Sequence, residues 1–417
     1  MSTMPLPIRT LPIAEQWDCH GCGRCCHQTI ISLSADDRAK LLAQQWDENA
    51  DYRGQRVMRR GLLGGGYTLA KRNDGACVFL LPDGRCRIHA EFGAEAKPLV
   101  CRMFPFQVVP LEKHANLGLR RSCPSAAANR GRPVREHLGE VRRLAEEGGL
   151  AGRPSLPPPI RRGQRGSWPR AMRVLDIFER MLCDARYPPV RRIVHGLQLC
   201  DLIEQCRLRK LDEQQFGELL ELLENSVIAQ SAAAFAERPP PRRSAAIVFR
   251  QMLLEYTRLH PLYVIRQNWG QRWRLVRMAL GFARGKGSVP PIHECFPPAT
   301  FAALEEPLGH LDAAVLQPLT AFFETAAASK HYAFLGHAGW PVIESLRALA
   351  VTYPVALWLL RLRCGRRRPE VDDAIDVVGA IDRGQGYAPL CGRRQRRRIA
   401  SLSSLRELTR LVVWYAR

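Results

Sequence analysis

The sequence predicts an α+β protein in which a small cysteine-rich module with short strands precedes a mostly all-α helical domain. Eight of the 14 cysteines lie in the first third of the chain, among short strand-like and turn-like segments. From about residue 170 onward, apolar residues recur at spacings of three and four, which is typical of helices that bury one face. A chain of 417 residues can bury more than one core, so two or three domains are expected.

Composition divides the chain into three parts. Residues 15–130 contain the clustered cysteines and are predicted to form a metal-binding domain. Residues 131–169 include GRPSLPPPIRRGQRGSWP, whose proline, glycine and arginine content indicates a linker or a domain boundary. Residues 170–417 are predicted to form the helical domain, without strand signals.

The first predicted elements follow the cysteine-rich start of the module. QTIISLS combines β-branched and aliphatic residues and predicts a short strand. Ser34 offers an N-cap hydroxyl, and Asp36 and Asp37 follow it as acidic residues suited to the first turn of a helix. This pattern predicts a helix that runs to about Trp46. The glycine-rich GLLGGGYT predicts a flexible loop inside the module.

The next segment, ACVFLLPDGRCRIH, predicts a hairpin because a Pro-Asp-Gly turn joins two apolar stretches. Cys77 and Cys86 then lie on its two arms. KPLVCRMFPFQVV and RRSCPS supply two further cysteines, Cys101 and Cys123.

The helical domain has apolar residues at helical spacing in VLDIFERMLCD, IVHGLQLCDLIEQC, FGELLELLENSVIAQ, AIVFRQMLLEYTRL, VLQPLTAFFETAA and VIESLRALAVTY. Ser404 and Glu407 have the spacing of a capping box, which predicts that the last helix starts there.

The formal net charge of +22 suggests an acidic partner. Basic residues are spread along the chain, however, and a weakly basic surface is the simpler interpretation. Two runs, Arg366–Arg368 and Arg393–Arg398, could form a patch for phosphates or an acidic protein. Aromatic residues are absent beside them, so the sequence does not favour single-strand nucleic-acid recognition.

The N-terminal residues contain three prolines and no apolar run, so they do not resemble a signal peptide. The longest apolar stretch, about Leu349–Leu360, is shorter than the roughly 20 residues that span a bilayer. We therefore expect a cytoplasmic protein without a membrane span. A disulfide framework needs an oxidising compartment and is not favoured.

The spacing Cys19-x-x-Cys22-x-x-Cys25 predicts a metal site, since two-residue spacers let the backbone curl around one centre. Gly21 and Gly23 permit tight dihedral angles and leave N–H groups free to face sulfur. Zinc takes four cysteine or histidine ligands, whereas an iron–sulfur cluster such as [4Fe–4S] uses the same C-x-x-C-x-x-C opening with a distant fourth cysteine.

Eight cysteines are candidate ligands, enough for two centres or for one centre and a redox pair: Cys19, Cys22, Cys25, Cys26, Cys77, Cys86, Cys101 and Cys123. Adjacent side chains diverge in extended backbone, so Cys25 and Cys26 are not expected to be equivalent ligands of one ion. His20, His27 and His89 are either substitute ligands or surface histidines. Arg102 either neutralises a thiolate centre or is a surface arginine, and Phe104-Pro105-Phe106 would shield the site.

CHGCGRCC, CVFLLPDGRCRIH, KPLVCRMFPF and the late CPS together resemble the YkgJ-type CxxCxxCC family, which is named for zinc or iron chelation. The resemblance covers about residues 17–125 and fills all eight cysteine positions. An arginine-proline pair of the family is Lys97-Pro98 in this chain.

The family includes flagellin lysine N-methylases with a longer helical C-terminal part, which RYPPVRRIVHGLQLCDLI and AIDVVGAIDRGQGYA loosely resemble. That resemblance implies methyl transfer from S-adenosylmethionine to lysines of flagellin or another surface protein. The residues give it no independent support: no strand–Gly-x-Gly–helix unit is present. A radical-enzyme CxxxCxxC spacing is also missing, because Thr29 follows Cys22 and Cys26 where a third cysteine is needed.

Three hypotheses follow from the sequence. The first is a cysteine-cluster metalloprotein with an iron–sulfur or zinc centre. The second is a lysine N-methylase in which the helical domain binds the protein substrate. The third is a basic adaptor with a structural metal; the oligomeric state is left open.

Overall fold

The structure is a computed structural model that describes residues 5–28, 30–61, 66–150, 156–164, 166–257, 269–292, 295–334, 340–385 and 392–417. Short strands and short helices occupy the N-terminal third, and long helices make up the rest. The predicted α+β class is confirmed. Part of the predicted glycine-rich loop, residues 62–65, and Cys391 lie outside the described residues.

Three small sheets organise the N-terminal third. The strands are β1 (Ile8–Thr10), β2 (Gln16–Trp17), β3 (Ser32–Leu33), β4 (Met58–Arg60), β5 (Tyr67–Leu69), β6 (Phe106–Pro110), β7 (Ala115–Leu119) and β8 (Arg132–Pro133). The first sheet has the order β1-β7-β6, with β1 parallel and β6 antiparallel to β7. β2 pairs with β8, and β3, β5 and β4 form an antiparallel sheet.

Six helices accompany these strands in the described part of the N-terminal third. They are α1 (Arg24–Gln28), α2 (Ala35–Ala43), α3 (Arg87–Phe92), α4 (Leu99–Met103), α5 (Pro124–Ala127) and α6 (Leu138–Glu147). The predicted N-cap of α2 is confirmed: the Ser34 hydroxyl accepts from the Asp37 N–H, and the Asp37 carboxylate accepts from the Ser34 N–H, each at 3.0 Å. The helix ends three residues earlier than predicted.

The predicted hairpin at residues 76–89 is only partly correct. Its turn closes, with the Leu81 N–H donating to the Arg85 carbonyl at 2.9 Å. Pairing then stops after the single bridge between Leu80 and Cys86, and the second arm becomes helix α3. The helix buries Ile88, which is 1 % exposed, beneath the turn, and this packing favours helix over a second strand.

Twelve further helices follow in the described C-terminal part. They are α7 (Trp168–Cys183), α8 (Pro189–Gln205), α9 (Glu213–Gln230), α10 (Ala233–Ala236), α11 (Arg243–Thr257), α12 (Trp269–Arg284), α13 (Ala313–Ser329), α14 (Val342–Ala350), α15 (Thr352–Cys364), α16 (Val371–Gln385), α17 (Arg393–Ser404) and α18 (Glu407–Tyr415). Most of their buried faces share one large core. Val342–Cys364 is long and apolar enough to cross a membrane, but 94 % of its most apolar window is buried inside the fold.

The predicted capping box of the last helix is wrong. Ser404 still belongs to α17, and Arg406, in the left-handed region at φ +54°, precedes α18. The Glu407 carboxylate instead accepts from the Arg242 N–H at 3.1 Å and from the Arg410 guanidinium at 2.9 Å. The Glu407 carboxylate therefore bonds to Arg242 across the fold and to Arg410 in its own helix, and it does not form the predicted cap.

Residues 132–147 pack on the N-terminal sheets, although the sequence places them in a linker. β8 pairs with β2, and α6 buries Val141 and Leu144 in the same core as Phe106 and Leu117. The division into three parts stays a prediction.

Candidate metal centre

The CxxCxxCC loop lies against the turn at residues 81–85. Gly21 and Gly23 have φ values of +64° and +67°, in the left-handed region that glycine reaches without strain. Gly84, at φ +84°, approaches so closely that a Cβ there would lie 2.5 Å from the Gly21 carbonyl oxygen. The glycines of the motif and of the turn therefore allow the two backbones to touch.

Four cysteines border one small core. Trp46 packs on Tyr52 and Phe79, with ring centroids 5.0 and 4.7 Å apart. Cys77 is buried in this aromatic core, and three half-buried cysteines pack against it: Cys26, Cys86 and Cys101. Four thiols that are distant in sequence therefore share one apolar site.

Hydrogen bonds connect Cys26 to Cys77 and to Cys25. The Cys77 N–H donates to the Cys26 carbonyl at 2.8 Å, and the Cys25 and Cys26 sulfurs lie 3.9 Å apart, within hydrogen-bond reach. The Cys101 thiol also interacts electrostatically with Cys77, Cys86 and Cys25. We call Cys25, Cys26, Cys77, Cys86 and Cys101 the five-thiol group.

Three thiols of the five-thiol group, Cys25, Cys77 and Cys101, disfavour ionisation when no cation is present. Burial, reinforced by the neighbouring Cys77, raises the pKa of Cys101 to about 12. Burial also raises the pKa of Cys77, although the Phe79 N–H donates to its sulfur and opposes the shift. The hydrogen bond with Cys26, followed by desolvation, raises the pKa of Cys25. A metal cation would reverse this balance, because thiolate is the form that coordinates.

Two lysines supply positive charge to the group. The Lys71 ammonium donates to the carbonyls of Cys26 and His27, at 2.8 and 3.4 Å. Burial lowers the pKa of Lys71, and nearby thiols, with Cys77 first, oppose that effect. Lys97 acts electrostatically on Cys25 and Cys101 in the direction that favours thiolate. The sequence offered no signal for the role of Lys71.

Cys123 lies in a different core, the one beneath the β1-β7-β6 sheet. The Trp17 indole N–H donates to its sulfur at 3.3 Å. Burial raises the pKa of Cys123, while the Ala126 N–H, the Trp17 indole and the Ser125 N–H favour the thiolate. N–H groups directed at sulfur are typical of metal-bound thiolates.

Cys22 interacts electrostatically with Cys123 and connects the motif to this second core. Cys19, Cys22 and Cys25 are exposed. The His20 ring, next to Cys19, shares a hydrogen bond of 2.7 Å with the Ser125 hydroxyl. The eight thiols thus separate into the five-thiol group and a second set on the Cys123 side.

Across the described ranges, no group of three or more His, Cys, Asp or Glu side chains converges closely enough to hold one ion. Backbone proximity, rather than side-chain convergence, is what brings the thiols together. The donor set nevertheless fits a thiolate-bound metal, because several soft sulfurs, directed N–H groups and two ammonium groups occupy one region.

The contacts of Arg102 among the described residues are with two carboxylates and a carbonyl. Its guanidinium donates to the Glu95 carboxylate at 2.6 Å, to Glu147 and to the Lys97 carbonyl. The carboxylates take up its charge, so it acts as a brace between α4 and α6. His89 is exposed and His27 is half-buried.

Both ends of the cysteine-rich region are attached to helix α16. Arg24, within the motif, forms an ion pair with Asp376. The Asp382 carboxylate accepts from Arg120 at 3.0 Å and from the Ser122 N–H at 2.9 Å, directly before Cys123. The sequence contained no sign of this attachment, because the partners lie more than 250 residues apart.

A buried network adds a third connection between the two parts. The Arg121 guanidinium pairs with Glu15 at 2.7 Å, and both groups bond the Thr325 hydroxyl of α13. Burial raises the pKa of Glu15 and lowers that of Arg121, and their mutual attraction opposes both shifts. The N-terminal part and the helical part therefore share polar contacts from which water is excluded.

The two arginine runs are partly committed to internal ion pairs. Arg367 pairs with Asp373 and Arg368 with Asp312. In α17, Arg396 pairs with Glu344 at 2.6 Å and Arg398 with Glu255 at 3.2 Å. A basic-adaptor patch would have to form from the remaining arginines.

Fold and site together define a class: a cysteine-rich α+β domain with the donor set of a metal-binding module, attached to a helical part. Residues 18–124 match the profile of the family described as "CxxCxxCC: Putative zinc- or iron-chelating domain". The resemblance predicted from the sequence is confirmed over these residues. Residues 125–417 lie outside the match.

No curated protein and no solved structure matches the chain. The family description supports chelation of zinc or iron and does not distinguish a bound ion from an iron–sulfur cluster. The methylase branch, flagellin as a partner and the cytoplasmic location stay predictions.

Proposed function

We propose that the protein is a metalloprotein whose five-thiol group holds a thiolate-ligated centre, either an iron–sulfur cluster or zinc. One observation carries the proposal: four cysteines pack around one aromatic core, namely Cys26, Cys77, Cys86 and Cys101. The Cys25 thiol is within hydrogen-bond reach of the Cys26 thiol. Isolated structural thiols have no reason to gather from four separate segments of the chain.

The surroundings support a centre of negative charge. Lys71 and Lys97 lie beside the five-thiol group, and a centre with four thiolates carries net negative charge in both its zinc and its iron–sulfur forms. The chain's own residues would orient the thiolates, supply these cations and exclude water with the aromatic core. A bound centre would provide either structural stability or electron transfer.

The attachment of the motif to α16 supports a role that extends to the helical part. Arg24, within the motif, and Arg120, shortly before Cys123, both pair with this helix. Small movements on loading the centre would therefore be passed to α16 through fixed ion pairs. We infer that the helical part responds to the state of the centre.

The test is anaerobic purification of the full chain, followed by zinc, iron and acid-labile sulfide analysis. Iron with sulfide and visible absorption identifies an iron–sulfur cluster, and zinc without sulfide identifies a zinc site. A preparation that holds neither metal, and takes up neither after anaerobic reconstitution, would sink the proposal.

Cysteine variants locate the centre. Cys26→Ser and Cys101→Ser are expected to lose most of the metal, whereas Cys183→Ser and Cys206→Ser, half-buried thiols of the helical part, retain it. The exposed Cys25→Ser variant keeps the comparison valid if a buried variant fails to fold, as judged by circular dichroism. Full metal content in all three variants of the five-thiol group contradicts the proposed location.

A further inference from the structure

Helix α12 (Trp269–Arg284) has two apolar faces, and the described residues cover only one of them. Met278 and Phe282 are buried, and Phe282 belongs to the large core, where its ring packs edge-on against Phe301 at 5.0 Å. The opposite face is exposed and apolar. Its residues, with exposed fractions of 78, 66, 50 and 50 %, are Trp269, Trp273, Val276 and Leu280.

The exposed residues form a continuous stripe. Their spacings of four, three and four place them within about 60° of the helix circumference, since a helix turns about 100° per residue. A surface helix normally directs one apolar face inward and a polar face outward. We call these four residues the outer stripe; their presence on the solvent side requires a partner that the core does not supply.

Basic residues border the outer stripe on both sides. Arg272 lies on one flank, with its guanidinium 5.7 Å from the centre of the Trp269 ring, and Arg277 and Arg284 lie on the other. Residues 269–287 contain five basic residues and no acidic one. Arg272, Arg274 and Arg277 are exposed. The face is therefore both apolar and cationic.

We propose that the outer stripe binds the surface of a membrane that contains anionic lipids. Tryptophan suits this boundary because its ring is apolar and its N–H is polar. Arginine can hold its stem along the acyl chains and its guanidinium among phosphates. The helix would lie in the plane of the interface, with Trp269, Trp273, Val276 and Leu280 inserted.

A lipid surface fits this geometry better than a folded protein does. A stable protein interface buries about 800 Å² on each partner and needs matched shape. The outer stripe is a single line of four residues on one helix, and a fluid interface adapts to it without a preformed groove. The absence of acidic residues gives charge complementarity to phosphate headgroups along the whole helix.

The experiment measures co-sedimentation of the full chain with phosphatidylcholine vesicles, with and without phosphatidylglycerol. We expect binding only when phosphatidylglycerol is present, and weaker binding as the salt concentration rises. Trp269 and Trp273 are exposed, so their fluorescence should shift to the blue on binding. Binding to neither vesicle type overturns the proposal, as does equal binding to both.

Matched variants separate the stripe from general surface charge. Trp269→Ser/Trp273→Ser should weaken vesicle binding at least about tenfold, while Leu156→Ser/Leu222→Ser, also exposed, should leave it unchanged. Arg272→Gln/Arg277→Gln should weaken binding about 30-fold, since each arginine near an anionic surface contributes about 1 kcal/mol. Arg142→Gln/Arg143→Gln on α6 removes the same charge elsewhere and should have little effect.

Two further outcomes overturn the proposal. Vesicle binding that persists in Trp269→Ser/Trp273→Ser would place the lipid contact elsewhere. A dimer that appears in analytical ultracentrifugation without lipid, and disappears in the same variant, would assign the outer stripe to a second copy of the chain.

Discussion

Arg120 and Asp382, 262 positions apart in the chain, form an ion pair in which Nε lies 3.0 Å from Oδ2. The Arg120 guanidinium also donates to the Asp382 carbonyl at 2.8 Å. The Ser122 N–H donates to the same carboxylate, so the segment that leads into Cys123 is fixed on helix α16. This pair attaches the cysteine-rich domain to the helical part.

Replacing Asp382 tests how much this attachment contributes. We expect Asp382→Asn to lower the free energy of unfolding by about 3 kcal/mol, because it leaves a half-buried guanidinium without its counter-charge. Asp372→Asn is the control, since Asp372 lies on the exposed face of the same helix. Urea denaturation measures both. Equal stability of the two variants would show that the pair contributes nothing.

The same carboxylate predicts a dependence of stability on pH. Burial alone would raise the pKa of Asp382, but the Arg120 charge and the Ser122 hydrogen bond hold it below the ordinary value of 3.8. A folded-state pKa below the unfolded one means that the stabilisation is complete above pH 3.8 and is lost as pH falls from there through the folded-state value. The stability difference between the wild type and Asp382→Asn should therefore shrink only in that acidic window.

The contact between Gly84 and Gly21 predicts the effect of one added methyl group. In Gly84→Ala, the new Cβ would lie 2.5 Å from the Gly21 carbonyl oxygen, at φ +84°. We expect lower metal content and a loss of stability at least about 1 kcal/mol larger than in the control. The control is Gly54→Ala, which has a similar φ of +77° and nothing within 4 Å of the new Cβ.

Both glycine variants carry the strain of a left-handed alanine, about 1 kcal/mol, and only Gly84→Ala adds the collision. Metal analysis and thermal unfolding of the two proteins, side by side, distinguish the effects. If the variants behave alike, the close approach of the motif to the turn is not needed for the site.

Removing the charge of Lys71 tests the electrostatic support of the five-thiol group. Lys71→Met keeps the length of the side chain but removes the ammonium that donates to the Cys26 carbonyl. We expect metal to be lost to a chelator about tenfold faster, as is common when a group behind the ligands is removed. Lys113→Met, an exposed lysine, is the control. Identical loss from both variants contradicts the role of Lys71.

Local signals accounted for the elements whose partners are nearby in the chain. Ser34 and Asp37 cap α2 as predicted, because a cap is made within three residues. Ser404 and Glu407 have an equally good pattern and do not form a cap, since Glu407 finds the Arg242 N–H across the fold. Where a local bond and a tertiary bond compete for one carboxylate, the pattern alone cannot decide between them.

The same contrast holds at the candidate site. The spacing of Cys19, Cys22 and Cys25 predicts a metal site, because short spacers and glycines control how tightly the backbone can turn. Arg102 was a reasonable candidate to neutralise thiolates from its place next to Cys101. In the structure, Lys71 interacts electrostatically with the thiols, whereas Arg102 forms ion pairs with Glu95 and Glu147.

The sequence by itself determined the set of candidate thiol ligands and the α+β class, since both depend on residue types and short spacings. Only the tertiary structure decided that Cys123 lies in a different core from Cys77, and that Arg24 and Arg120 attach the cysteine-rich region to α16. These relationships join residues up to hundreds of positions apart. They arise from which apolar faces pack together and which buried charges then need partners, and no short spacing encodes that.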